Sequence, residues 1–179
     1  YFTDSNGNAR FVKGKTSLKT KKKYLIIPSF SPENKPLGYK SAITANAAMD
    51  IAAAVDSLNM YKNILSDIKP NGYQKTLEKI THLISCLPVY MFDKSGAIKE
   101  WSMNEYKENN AHRHISHLYC AWPSSETQHN HALASACRQA INNRNRENTG
   151  KDDTASHGWI HKALVEARLK NPEAVYNTL

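Results

Sequence analysis

The chain has 179 residues, room for one domain or two small ones, and its 24 Lys+Arg against 16 Asp+Glu give a formal charge of +8. A hydrophobic content of 40%, with nine Tyr and three Trp, excludes a chain disordered throughout, and no run of about 18 apolar residues is present to span a membrane. Cys86, Cys120 and Cys137 are too few and too scattered for a disulfide framework or a Cys-based zinc site.

The chain opens without Met and without a basic, apolar leader, so it is expected to be a piece of something larger. Residues 1–22 are polar and rich in turn formers (Asp4-Ser5-Asn6-Gly7-Asn8), which predicts a basic loop without a core of its own. Lys13, Lys15, Lys19, Lys21, Lys22 and Lys23 follow one another without an acid, and Arg138, Arg144, Arg146 and Lys151 form a second cluster. Such runs are usually solvated surface. A nucleic-acid groove needs interleaved aromatics, and only Phe11 and Tyr24 flank the first run. No zinc-finger, RNA-recognition or helix-turn-helix signature is present, so nucleic acid is not an expected partner.

Tyr24-Leu25-Ile26-Ile27, closed by Pro28-Ser29, reads as a buried extended segment. Ser31-Pro32 offers a cap and first position for a helical turn. The spacing of Ala48, Ile51, Val55 and Leu58 predicts a helix over 41–65. Pro70-Asn71-Gly72 breaks it, and Leu77, Ile80, Ile84 and Leu87 mark a second helix ending before Pro88. Asp93-Lys94-Ser95-Gly96 between two apolar runs, 89–92 and 97–101, predicts a hairpin. Helices are expected again over 132–141, 159–170 and 173–179, with a polar loop over 142–156. The class is all-α with long loops. An α/α toroid and a helical bundle both satisfy that pattern.

His112-Arg113-His114-Ile115-Ser116-His117 is the densest polar constellation. Its His-x-His-x-x-His spacing resembles that of metallo-β-lactamase-like hydrolases, which offers one reading: a metal site on His112, His114 and His117. That family carries an Asp where Ser116 stands, and a β-sandwich rather than helices. A second reading is a loop tied together by imidazole hydrogen bonds. A third is a pocket for a hydroxylated ligand, with Trp101 and Trp159 stacking on a sugar face. Glu33, behind a Pro and after an apolar segment, reads either as a desolvated general acid or as a carboxylate in a helix's first turn. Glu100 beside Trp101 suits a sugar site or a core edge, and Asp50 in the Ala-rich helix suits a brace for a neighbouring loop.

Taken in order, these segments resemble glycoside hydrolase family 95, the inverting α-L-fucosidases and their relatives acting on α-L-galactosides. Pro28-Ser29-Phe30-Ser31-Pro32-Glu33 is similar to its P-S-x-S-P-E motif, Met49-Asp50 to M-D, and Gly96 to Trp101 to G-x-x-x-E-W. His112-Arg113-His114-Ile115-Ser116-His117-Leu118-Tyr119 is similar to H-R-H-x-S-H-L-Y, the most specific of them. Gly158-Trp159 and Ala167-Arg168-Leu169 are similar to the closing G-W … A-R-L helix.

The resemblance implies an (α/α)6 barrel, of which 1–179 is expected to be a fragment: a toroid half with a short β-hairpin and long functional loops. Alone it is expected to expose apolar helix faces. The resemblance makes Glu33 the general acid and gives substrate contacts to His112, Arg113, His114, His117, Trp101 and Trp159. It sets the base position at Asn171, with Asp152 and Asp153 as alternatives. No cofactor or metal is implied. The partner is a fucosylated glycan and not a membrane, met outside the cell or at its envelope. Two other functions stay open: a non-catalytic carbohydrate-binding remnant and a His-ligated metal hydrolase.

Overall fold

The computed structural model describes residues 24–150, 152 and 155–179, together with the backbone of 2–3 and 9–10. The Lys run over 13–23, the Asn6-Gly7-Asn8 turn and Asp153 lie outside the described residues. Within the expected N-terminal loop, β1 (Phe2–Thr3) and β2 (Ala9–Arg10) pair antiparallel.

Five helices stand among the described residues, and local chemistry sets their ends. α1 (Ala48–Ile68) begins later than its Ala content predicts. Residues 41–47 are claimed instead by tertiary pairing: β3 (Ser29–Phe30) and β4 (Ile43–Thr44) form an antiparallel pair. Asn46 sits in the left-handed region at φ 53°, which Asn tolerates, and exchanges hydrogen bonds with Ile26. The segment over 24–27, predicted as a buried extended stretch, joins no strand; it is half-buried, with Tyr24 exposed. α1 stops at Lys69, a left-handed cap whose N–H returns to the Leu65 carbonyl, and Pro70 prevents continuation.

α2 (Tyr73–Cys86) follows Gly72 and packs against α1. The predicted hairpin survives as a tight turn with one antiparallel bridge, Phe92 to Ile98. Asp93 organises it by accepting from the Ser95 and Ala97 N–H groups, and Gly96 takes the φ of 81° that the turn requires. Two 3₁₀ turns, Ser116–Cys120 and Glu126–Gln128, lead to α3 (His131–Glu147). Asn130 caps α3 by accepting from Leu133 N–H, and the helix runs well into the stretch expected to be loop. α4 (Ser156–Arg168) and α5 (Pro172–Thr178) pack on each other.

The core lies where α3 meets the turn over 116–120. Leu133, Cys137 and Ile141 from α3 pack with Leu118 and Cys120, and with Val165 and Leu169 from the α4 end. A smaller cluster of Ala47, Trp101 and Tyr106 stands beside the first turn of α1. Met60, Tyr61, Ile64 and Ile68 form an exposed apolar stripe on α1, as do Ile160 and Leu164 on α4. No helix among the described residues is long and apolar enough to cross a membrane.

Candidate active site

The loop over 31–34 leaves β3 and does not become the predicted helical turn. Its polar side chains turn inward instead. Ser31 Oγ donates to Glu100 Oε1 at 2.6 Å and Asn34 Nδ2 donates to Glu100 Oε2 at 2.6 Å. Ser116 Oγ donates to the Pro32 carbonyl at 2.7 Å. Between these anchors Glu33 points outward with 61% of its side chain exposed. The desolvated carboxyl expected there is not what the fold holds, because Glu33 meets solvent and two basic groups. Arg113 Nη2 donates to its Oε2, and His114 Nε2 stands 3.6 Å from the same oxygen.

Arg113 is itself held from behind. Its Nη1 and backbone N–H both donate to Asp152, at 2.7 and 2.9 Å, and His112 Nδ1 reaches the same carboxylate at 2.7 Å. Burial pushes the Asp152 carboxyl up, but the backbone N–H and guanidinium of Arg113 outweigh it and hold the carboxyl below its ordinary range. Desolvation pushes both His112 and His114 down, with the Arg144 and Arg113 cations acting in the same direction, so both imidazoles favour the neutral form. Next to this cluster lies a cleft of about 320 Å³ lined by His112, Arg113, Arg144, Asp152, Trp159 and Lys162. Trp159 is 44% exposed and offers an aromatic wall. An exposed carboxyl, convergent N–H donors and an indole face suit a polyhydroxylated ligand.

The family model for the glycosyl hydrolase family 95 catalytic domain matches residues 4–179. The chain belongs to glycosyl hydrolase family 95. Alpha-L-fucosidase 2 of Arabidopsis thaliana is 29% identical to it over 156 residues, covering 83% of this chain and 17% of that protein. The family resemblance read from the ordered motifs is borne out, and the chain spans only a small part of the relative's length.

Within this family 95 segment, the motif residues divide between the cleft and the interior. Glu33, His112, Arg113 and His114 come together, and Trp159 shares the cleft with His112 and Arg113. Trp101, expected on a sugar face, has 0% exposure and packs edge-to-face on Tyr106, so it presents no surface to a ligand. His117, also expected to touch sugar, is 2% exposed beneath the cluster. Desolvation pushes its pKa down to about 3, so it is a neutral core imidazole at ordinary pH. Asn171 is a helix cap: its Oδ1 accepts from Ala174 N–H and its Nδ2 donates to Glu166. An amide so engaged does not take up a proton as a carboxylate does. Among the described residues no three His, Cys, Asp or Glu side chains gather as a metal site, so His112, His114 and His117 do not form the one their spacing suggested.

Two residues carry more of this site than their sequence surroundings suggested. Arg144, read as part of a solvated basic cluster, is 4% exposed and donates Nη2 to Glu100 Oε2 at 2.6 Å. Asp152, a minor alternative in a polar loop, joins His112 and Arg113. Glu100 is buried; burial pushes its carboxyl up, but Arg144, His117 and the Ser31 and Arg144 hydrogen bonds bring it below its ordinary value.

Proposed function

We propose that the protein carrying this segment is a glycoside hydrolase that removes terminal α-L-fucose, or the related α-L-galactose, from glycans with inversion, using Glu33 as general acid. The observation that carries the reading is the placement of Glu33: a solvent-facing carboxyl on an anchored loop, flanked by Arg113 and His114 beside a cleft with an indole wall. In this reading the segment is part of an (α/α)6 barrel. A sugar seated against the loop takes the place of the guanidinium at Glu33. The carboxylic acid then gives its proton to the glycosidic oxygen as the bond from the anomeric carbon breaks. Water attacks from the opposite face and loses its proton to a base, with roughly 6.5–9.5 Å between acid and base in such mechanisms. Arg113 and His114 donate to sugar hydroxyls, and Trp159 covers the apolar sugar face.

The test is hydrolysis of an aryl α-L-fucoside by the full-length protein, with the anomer of the first-formed product read by proton NMR. Glu33→Gln is expected to lower turnover of an unactivated fucoside by about 10²–10⁴-fold. Full activity of that variant on the unactivated fucoside, or a retained anomeric configuration, sinks the assignment. A second reading, sugar binding without turnover, draws on the capping role of Asn171 at the position the family resemblance gave to the base. Calorimetry with L-fucose showing binding, alongside no hydrolysis by the full-length protein, would favour it.

A further inference from the structure

We propose that Glu100 is the positioning residue for the general acid, fixing Glu33 by holding the loop on both sides of it. The inference rests on the reading of Glu33 as the acid. Glu100 is 1% exposed, and in the loop its side-chain hydrogen bonds go to the residues on either side of Glu33, Ser31 and Asn34. Its two oxygens take three side-chain donors: Oε1 accepts from Ser31 Oγ, and Oε2 accepts from Asn34 Nδ2 and Arg144 Nη2, each at 2.6 Å. Ser31 and Asn34 bracket the acid in sequence. The ring closes through Asn109: its carbonyl accepts from Asn34 Nδ2 and Arg144 Nη1, and its Nδ2 donates to Asn34 Oδ1 at 2.9 Å.

Stability alone gives little reason for this arrangement. Burying an ion pair costs desolvation, and apolar residues of similar volume often stabilise a core as well or better. What the pair supplies here is direction. A carboxylate fixed by Arg144 presents lone pairs at set angles, and the loop hydroxyl and amide are held to them. The backbone of Glu100 is fixed as well: its N–H donates to Glu108 Oε2 at 2.7 Å, and its carbonyl accepts from Ala48 N–H at 2.9 Å at the start of α1. The anchor is thus tied both to the start of a helix and to the loop over 108–109. Small displacements of an acid lose much of its effect, because proton transfer needs hydrogen-bond reach.

The experiment compares leaving groups in the full-length protein. Departure of 2,4-dinitrophenolate needs no proton, whereas departure of an alkyl or sugar alcohol does. Glu100→Gln is expected to lower kcat on an alkyl or disaccharide α-L-fucoside by about 10²-fold with KM little changed, and on the 2,4-dinitrophenyl fucoside by less than about 5-fold. A merely structural role lowers both rates in parallel, and a parallel loss, or none, overturns the inference. Ser31→Ala and Asn34→Ala leave the Glu100–Arg144 pair intact, so they report even if Glu100→Gln fails to fold. Each is expected to show the same asymmetry at about 10-fold, and symmetric losses in both overturn it. Glu33→Gln, run beside them, separates the two failures. Asymmetry in Glu33→Gln without asymmetry in the others removes only the positioning role. No asymmetry in Glu33→Gln removes the acid assignment and the positioning role together.

Discussion

The buried imidazole of His117 builds a pH dependence into the fold whose size follows from its surroundings. Desolvation moves its pKa from 6.5 down to about 3, with Arg144, His161 and His112 pushing the same way and Glu100 opposing. In the unfolded chain the ring is in water and titrates at its ordinary value. Between those two values the unfolded state binds more protons than the folded state, so unfolding free energy rises with pH there. Stability is therefore lost as the pH falls below about 6.5, and the loss continues until the folded ring itself protonates near its own lowered value. One such site contributes about 1.4 kcal/mol per pH unit. Going from about pH 7 to about pH 5 should thus remove roughly 2 kcal/mol through this ring. His117→Gln keeps a polar side chain of similar reach that does not titrate. The assay is urea unfolding of the wild type and the variant at both pH values. The wild type is expected to lose roughly 2 kcal/mol more than the variant between them. His112, His114 and His161 are also pushed down by burial, but they are present in both proteins and cancel in the difference. Equal losses in the two proteins would refute the reasoning and put water or a charge against the ring.

Asn171→Ala should cost about 1 kcal/mol of stability through the lost cap of α5 while leaving kcat unchanged, as unfolding and steady-state assays on one preparation would show. A large fall in kcat at unchanged stability would return Asn171 to the chemistry. Asp152→Asn removes the charge that fixes Arg113 and His112. It should lower kcat/KM by about 10-fold or more without changing the circular dichroism, and an unaltered kcat/KM would show that Arg113 holds its place unaided.

The helices were legible because burial along a single helix face leaves a local trace. The spacing of Ile51, Val55 and Leu58, or of Leu133, Cys137 and Ile141, needs no knowledge of the partner. The start of α1 was not legible for the complementary reason. Alanine content favours a helix through 45–47, yet strand pairing of 43–44 with residues 29–30 and the left-handed Asn46 decide otherwise, and both depend on chain thirteen to twenty residues upstream. The site shows the same division. A Glu-Trp pair reads identically whether the indole faces a ligand or the core, and only the packing against Tyr106 distinguishes them. Arg144 looks like its exposed neighbours Arg146 and Glu147 until Glu100, forty-four positions away, is seen to hold it. Asp152 has no local signature, because the groups that define it come from 112–113. The ordered motifs located Glu33, Glu100, Trp101 and the run over 112–117, and the fold decided which of their side chains face outward and added Arg144 and Asp152.

The anchored loop also bears on when the site forms during folding. Its partners are remote along the chain: Ser31 and Asn34 reach Glu100 across separations of 69 and 66, Glu33 reaches Arg113 across 80, and Pro32 reaches Ser116 across 84. α1 and α2, by contrast, close their hydrogen bonds within a few residues. Contacts between distant segments must first meet the entropy of closing the loops between them, so they come after local helices. In the folded chain the loop that carries Glu33 is thus held through Glu100 to Arg144 of α3, and through Pro32 to Ser116. A chain stalled before these long-range contacts closed would hold most of its helix and none of the geometry around Glu33.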